Sequence, residues 1–142
     1  MLAVSDRPVG IDVERLKSDR AAVAQRFFCK EEYEDISEAE GLERDGRFLQ
    51  YWTMKEAYVK RTGNGLNIPL NSFLISRKEN ELSVVAGEHI YFSTFFLEAQ
   101  MYCVSVCSEG REELEKLSRD TMHQIGLKQI AVSYTHLRAH ET

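Results

Sequence analysis

The sequence predicts an α+β fold: a first strand, a helical segment ending in one long helix, then a mainly antiparallel sheet. Three observations carry this. Residues 9–13 are a short, apolar, β-branched run directly after Pro8. Residues 21–28, 31–40 and 47–61 read as helical stretches. From Leu70 onward the pattern changes to short β-branched and aromatic runs divided by polar breaks.

Each element has a local reason. Val9 to Val13 reads as the first strand. Ser18 and Asp19 offer N-cap chemistry for a helix over Ala21–Phe28, and Glu31 to Glu40 forms a second, acidic helix. Gly41 to Gly46 reads as a polar break. Arg47 to Arg61 is the main helix, closed by Gly63, Asn64 and Gly65. Ser72–Ser76, Leu82–Val85, Tyr91–Leu97 and Tyr102–Cys107 are the meander strands. Arg111 to Ile125 is a charged last helix.

Composition narrows the function. The chain has 142 residues, enough for one domain with its own core. Lys and Arg number 18 against 23 Asp and Glu, a net charge of −5, which argues against non-specific nucleic-acid binding. No apolar run approaches the ~20 residues of a membrane span, and the first residues turn polar too soon for a signal peptide. Cys29, Cys103 and Cys107 are an odd set without paired spacing. They point to a reducing cytoplasm, with Cys103 and Cys107 as buried thiols.

Two segments carry candidate chemistry. In Gly10-Ile11-Asp12-Val13-Glu14, residues i and i+2 share a strand face ~6.6 Å apart. Asp12 and Glu14 then stand side by side, with Ile11 and Val13 turned to the core. Paired carboxylates repel unless a cation or a shared proton intervenes, and Mg²⁺ is the natural hard-oxygen occupant. Taken alone, such a pair is more often a solvated face. In Tyr51-Trp52-Thr53-Met54-Lys55-Glu56-Ala57-Tyr58-Val59-Lys60, Glu56 and Lys60 are i and i+4. A surface ion pair is one reading of them. At about 100° per residue, however, Phe48, Tyr51, Trp52 and Val59 form one apolar arc with Lys55 inside it. A lysine there snorkels or meets an anion at the rim. Trp52 reads as a core anchor.

Together the two segments closely resemble the paired signature of the 4′-phosphopantetheinyl transferases, in its Sfp-type form. Arg26-Phe27-Phe28 with Glu31-Glu32-Tyr33, and Gly63-Asn64-Gly65-Leu66 with Pro69-Leu70, resemble further family segments. The resemblance runs from about Val4 to Glu109. It implies Mg²⁺-dependent transfer of the phosphopantetheine arm of coenzyme A to a serine of an acyl or peptidyl carrier protein. It also implies that Asp12, Glu14 and Glu56 hold the metal and that Glu56 is the base. Lys60 would assist the leaving phosphate, and Lys55 with Lys60 would contact phosphate.

Sfp-type enzymes are built from two similar halves. The resemblance therefore implies that residues 1–127 are a C-terminal half-domain, with an upstream half missing or replaced by self-association. Residues 132–142, VSYTHLRAHET, match a translated frame of a transposase-type sequencing-library adapter at every position, so they are expected to be non-native. His136 and His140 have H-x-x-x-H spacing but fall in that tail, and neither they nor His89 and His123 receive a catalytic role. The competing reading is a non-catalytic α+β module that binds a partner. An upstream half-domain in frame with Met1 would separate the two.

Overall fold

A computed structural model of the chain describes residues 9–18, 20–63, 68–78, 81–82, 90–97, 99 and 101–128. The order is β1 (Gly10–Arg15), α1 (Ala21–Phe27), α2 (Lys30–Ser37), α3 (Gly41–Thr62), a 3₁₀ turn at Leu70–Ser72, β2 (Ile75–Ser76), β3 (Glu81–Leu82), β4 (Tyr91–Leu97), β5 (Tyr102–Ser108) and α4 (Arg111–Lys128). The five strands form one antiparallel sheet in the order β1-β5-β4-β3-β2. This is the α+β layout the sequence predicts. Gly63, at φ 73°, closes α3 in the left-handed region, as the glycine there indicated.

The sheet has a helix on each face. Alternation sends Gly10, Asp12 and Glu14 of β1, Cys103, Ser105 and Cys107 of β5, and Phe92 of β4 toward α3. Val104, Val106 and Leu97 face the other way, under Leu114 and Met122 of α4. Cys103 and Cys107 are fully buried, as expected. Trp52 packs against Phe28 and Phe48, whose rings also stack on each other, on the inner side of α3, which bears out its anchoring role.

Several boundaries moved for physical reasons. The residues read as a polar break, 41–46, are the first turns of α3. Arg47 reaches back one turn to Glu43 at 3.0 Å and across to the Asp35 carbonyl at 2.7 Å, so tertiary bonds support the added length. Helix α1 starts behind Arg20 without a side-chain cap, so Ser18 does not cap it; Asp19 lies outside the described residues. Helix α2 stops at Ser37. Only two residues of the expected Ser72–Ser76 strand pair in the sheet. Residues 64–67, 83–89 and 129–142 also lie outside the described set, and with them the closing loop beyond Gly63, most of the Leu82–Val85 strand, His89 and the tail. Val13 was expected in the core, but it sits on the edge strand and is 37% exposed.

Gly10 sets the distance between β1 and α3. A Cβ at this position would lie 1.8 Å from the Ala57 carbonyl oxygen. That atom is helix backbone and cannot rotate away. Gly10→Ala should push α3 off β1 and cost about 1–3 kcal/mol or more, read as a lower thermal midpoint. An unchanged midpoint would mean that the two elements are not in backbone contact.

Candidate functional site

The tight Gly10 contact lets the last two turns of α3 lie across β1. Helical spacing places Glu56 and Lys60 on one side of α3, and strand spacing places Asp12 and Glu14 on the facing side of β1. The Lys60 ammonium donates to Asp12 Oδ1 at 2.6 Å. Asp12 is only 4% exposed, and its second oxygen, Oδ2, is buried without a hydrogen-bond donor. Glu14 and Glu56 are half-buried beside it.

Electrostatics bind the four residues into one unit. Burial pushes the Asp12 carboxyl up from 3.8 to about 6; Lys60 opposes the rise, and Glu14 and Glu56 add to it. Burial also raises Glu56, again against Lys60 and with help from Glu14. An acid whose folded pKa lies above its unfolded value binds its proton more tightly when folded. Its stabilising share is complete below about pH 4 and is lost as pH rises through about 6. In metal-free buffer, Asp12→Asn should therefore gain stability relative to wild type between pH 4 and 7. A constant difference in melting temperature across that range would contradict the raised Asp12.

No three His, Cys, Asp or Glu side chains among the described residues are gathered closely enough to hold a metal ion. Asp12, Glu14 and Glu56 thus share a field without forming a ready cage. The physical reason is that an ammonium already sits on Asp12, and unbridged carboxylates repel. The donor set still fits a hard divalent cation. It is all carboxylate oxygen, and Asp12 Oδ2 is a buried acceptor that nothing satisfies.

Against expectation, Lys55 does not stand at the rim beside Lys60 but is 0% exposed in the interior. Its ammonium donates to the Leu70 carbonyl at 2.6 Å and the Phe73 carbonyl at 2.7 Å, and pairs with Glu32 at 2.9 Å. All three donors are used, so none is left for a phosphate. Burial pulls its pKa below the usual lysine range, and Glu32 holds it up. The apolar arc that contains Lys55 was the signal: it marked burial, not a snorkelling contact.

Two supporting groups escaped the sequence reading. Glu32 accepts from the Cys29 amide through Oε1 and from the Ile75 amide through Oε2, both at 2.9 Å, which ties α2 to β2. Its position three residues after the N-cap was a legible capping-box signal. Behind Asp12, Thr53 donates to the Leu49 carbonyl and lies 2.6 Å from the Ser105 hydroxyl. Ser105 is the cross-strand partner of Asp12. This bond fixes α3 to β5 directly beneath the carboxylates, and no local pattern announces it.

Comparison with known proteins bears on the same segments. Residues 8–118 match the model of the 4′-phosphopantetheinyl transferase superfamily. The chain belongs to this superfamily. It stands in the Sfp-type branch. It is 33% identical over 110 residues to the 4′-phosphopantetheinyl transferase Sfp of Bacillus subtilis (strain 168), covering 75% of this chain and 49% of that relative. A second Bacillus subtilis 4′-phosphopantetheinyl transferase is 28% identical over 126 residues, covering 87% of this chain and 56% of the relative. The chain thus spans about half the length of the curated relatives it matches. Among solved structures it resembles a holo-(acyl-carrier-protein) synthase from Bacillus anthracis, determined in complex with CoA (3′,5′-ADP). The TM-score is 0.57 at 15% identity, over 70% of this chain and 92% of that one. The superfamily fold therefore extends over the strand–helix unit that carries Asp12, Glu14, Glu56 and Lys60.

Proposed function

We propose that this chain supplies the acid–base and metal-binding half of a 4′-phosphopantetheinyl transferase. The substrates are coenzyme A and a serine of an acyl or peptidyl carrier protein. The observation that carries the reading is the buried Asp12 carboxylate, held on one oxygen by Lys60 and unsatisfied on the other, in a chain of this superfamily.

Asp12, Glu14 and Glu56 would hold Mg²⁺, which when bound neutralises charge on the pyrophosphate and the leaving phosphate. Glu56 accepts the serine proton; without metal, burial raises its carboxyl above the ordinary glutamate value. The serine oxygen bonds to the attacked phosphorus, the bond to adenosine 3′,5′-bisphosphate breaks, and Lys60 stabilises the charge on that leaving group. Lys55 holds the helix and takes no part. Residues 1–127 read as one half-domain, whose coenzyme A cleft is completed by an upstream half or by a second copy. Residues 132–142 lie outside it. The free thiols among the described residues suit a reducing cytoplasm.

The test is mass gain on an apo carrier protein given coenzyme A, with and without Mg²⁺, by the full chain alone and with an added N-terminal half. Transfer that requires Mg²⁺ and is restored or raised by the second half is expected. A tightly folded protein that transfers nothing in either form would favour the non-catalytic partner-binding module.

A further inference from the structure

We propose that the Lys60 ammonium is a place-holder for the metal: it occupies Asp12 until a divalent cation arrives, is expelled by it, and is thereby presented to the anionic substrate. The inference rests on the metal-site reading above. The ammonium lies 2.6 Å from Asp12 Oδ1. A Mg²⁺ ion sits ~2.1 Å from a ligand oxygen. Two cations on one carboxylate repel. The divalent ion carries the larger charge and has Glu14 and Glu56 beside it to share.

Lys60 is the partner able to move. Its side chain is 54% exposed while that of Asp12 is 4% exposed. It stands in the last turn of α3 on a flexible four-carbon stem. Its neighbour Arg61 points to Glu109 instead and does not compete for Asp12. The ammonium is the counter-ion of Asp12, and its charge also reaches Glu56. Metal binding then releases a cation at the place where a pyrophosphate needs one. Metal and anionic ligand therefore bind with positive linkage.

The test uses the full chain carrying ¹³Cε-labelled lysine, with the Lys60 signal assigned by its loss in Lys60→Met. Without metal, an ordered Lys60 should show a broad Cε signal with two distinct εH resonances. Mg²⁺ alone should merge and sharpen them, and 3′,5′-ADP added afterwards should shift them again. By calorimetry, Lys60→Met should bind Mg²⁺ roughly tenfold more tightly than wild type, within the usual range of coupling between sites. If Mg²⁺ binds but the Lys60 signal stays split, or Lys60→Met binds Mg²⁺ no better, the exchange is wrong and the metal site stands. If neither protein binds Mg²⁺, the metal-site reading itself fails and takes the exchange with it.

Discussion

Lys55→Met should cost about 3–5 kcal/mol of stability, the largest loss expected from a single side chain in this fold. The substitution keeps the volume and removes the charge. It strands Glu32, which is fully buried, and takes the ammonium from the Leu70 and Phe73 carbonyls, of which Phe73 keeps only the Cys29 thiol at 3.2 Å. A buried carboxylate that has lost its counter-ion is far costlier than an intact pair is stabilising. The cost should therefore be non-additive. Lys55→Met with Glu32→Gln should be more stable than Lys55→Met alone, because the stranded charge is gone. It should not reach wild type, since Gln offers one carbonyl oxygen where the Cys29 and Ile75 amides each had a carboxylate oxygen. Urea unfolding of the three variants measures this. The same experiment separates a core lysine from a phosphate contact. Had Lys55 touched the substrate, Lys55→Met would melt normally and bind coenzyme A poorly.

The contrast between Lys55 and Lys60 shows where sequence reasoning works and where it stops. Strand β4 was legible to the residue, and β5 to within one, because alternation and β-branching are local. Asp12 and Glu14 on one face, and Glu56 and Lys60 on another, followed from the periods of strand and helix. That the two faces meet depends on Gly10 accepting the Ala57 carbonyl, a contact between residues far apart in the chain. Lys55 has the same chemistry as Lys60 and lies only five residues away. Their different fates are decided by Glu32, on another helix, and by two carbonyls after α3. The polar break read at residues 41–46 failed for a similar reason, since Arg47 recruits Glu43 and Asp35 to extend the helix. The sequence shows what a segment prefers; partners that arrive only on folding decide which charge is buried.

Glu56→Gln should lower turnover by about 10²–10⁴-fold, the usual range for loss of a general base, in the active protein that contains this chain. Gln is nearly isosteric and half-buried like the residue it replaces, so the fold should survive, and a normal melting curve is part of the expected result. The variant lacks the oxygen basicity needed to accept the serine proton and weakens the carboxylate set around Asp12. These two losses can be told apart. Weaker metal binding is overcome by saturating Mg²⁺, whereas the missing base is not, so the fall in kcat should persist at saturation. The pH profile gives a second check. A base must be deprotonated to act, and Glu56 is raised above the ordinary glutamate value of 4.5 by burial. A bound Mg²⁺ opposes the rise that burial causes, so activity should decline on acidification wherever Glu56 takes up its proton, and Glu56→Gln should abolish that limb along with the rate. Glu34→Gln, on the outer surface of α2, should change neither. Near-normal kcat for Glu56→Gln at saturating Mg²⁺ and coenzyme A would remove Glu56 from the chemistry. The base would then have to come from Asp12, Glu14 or water, although Asp12 is the carboxylate least exposed to an incoming serine.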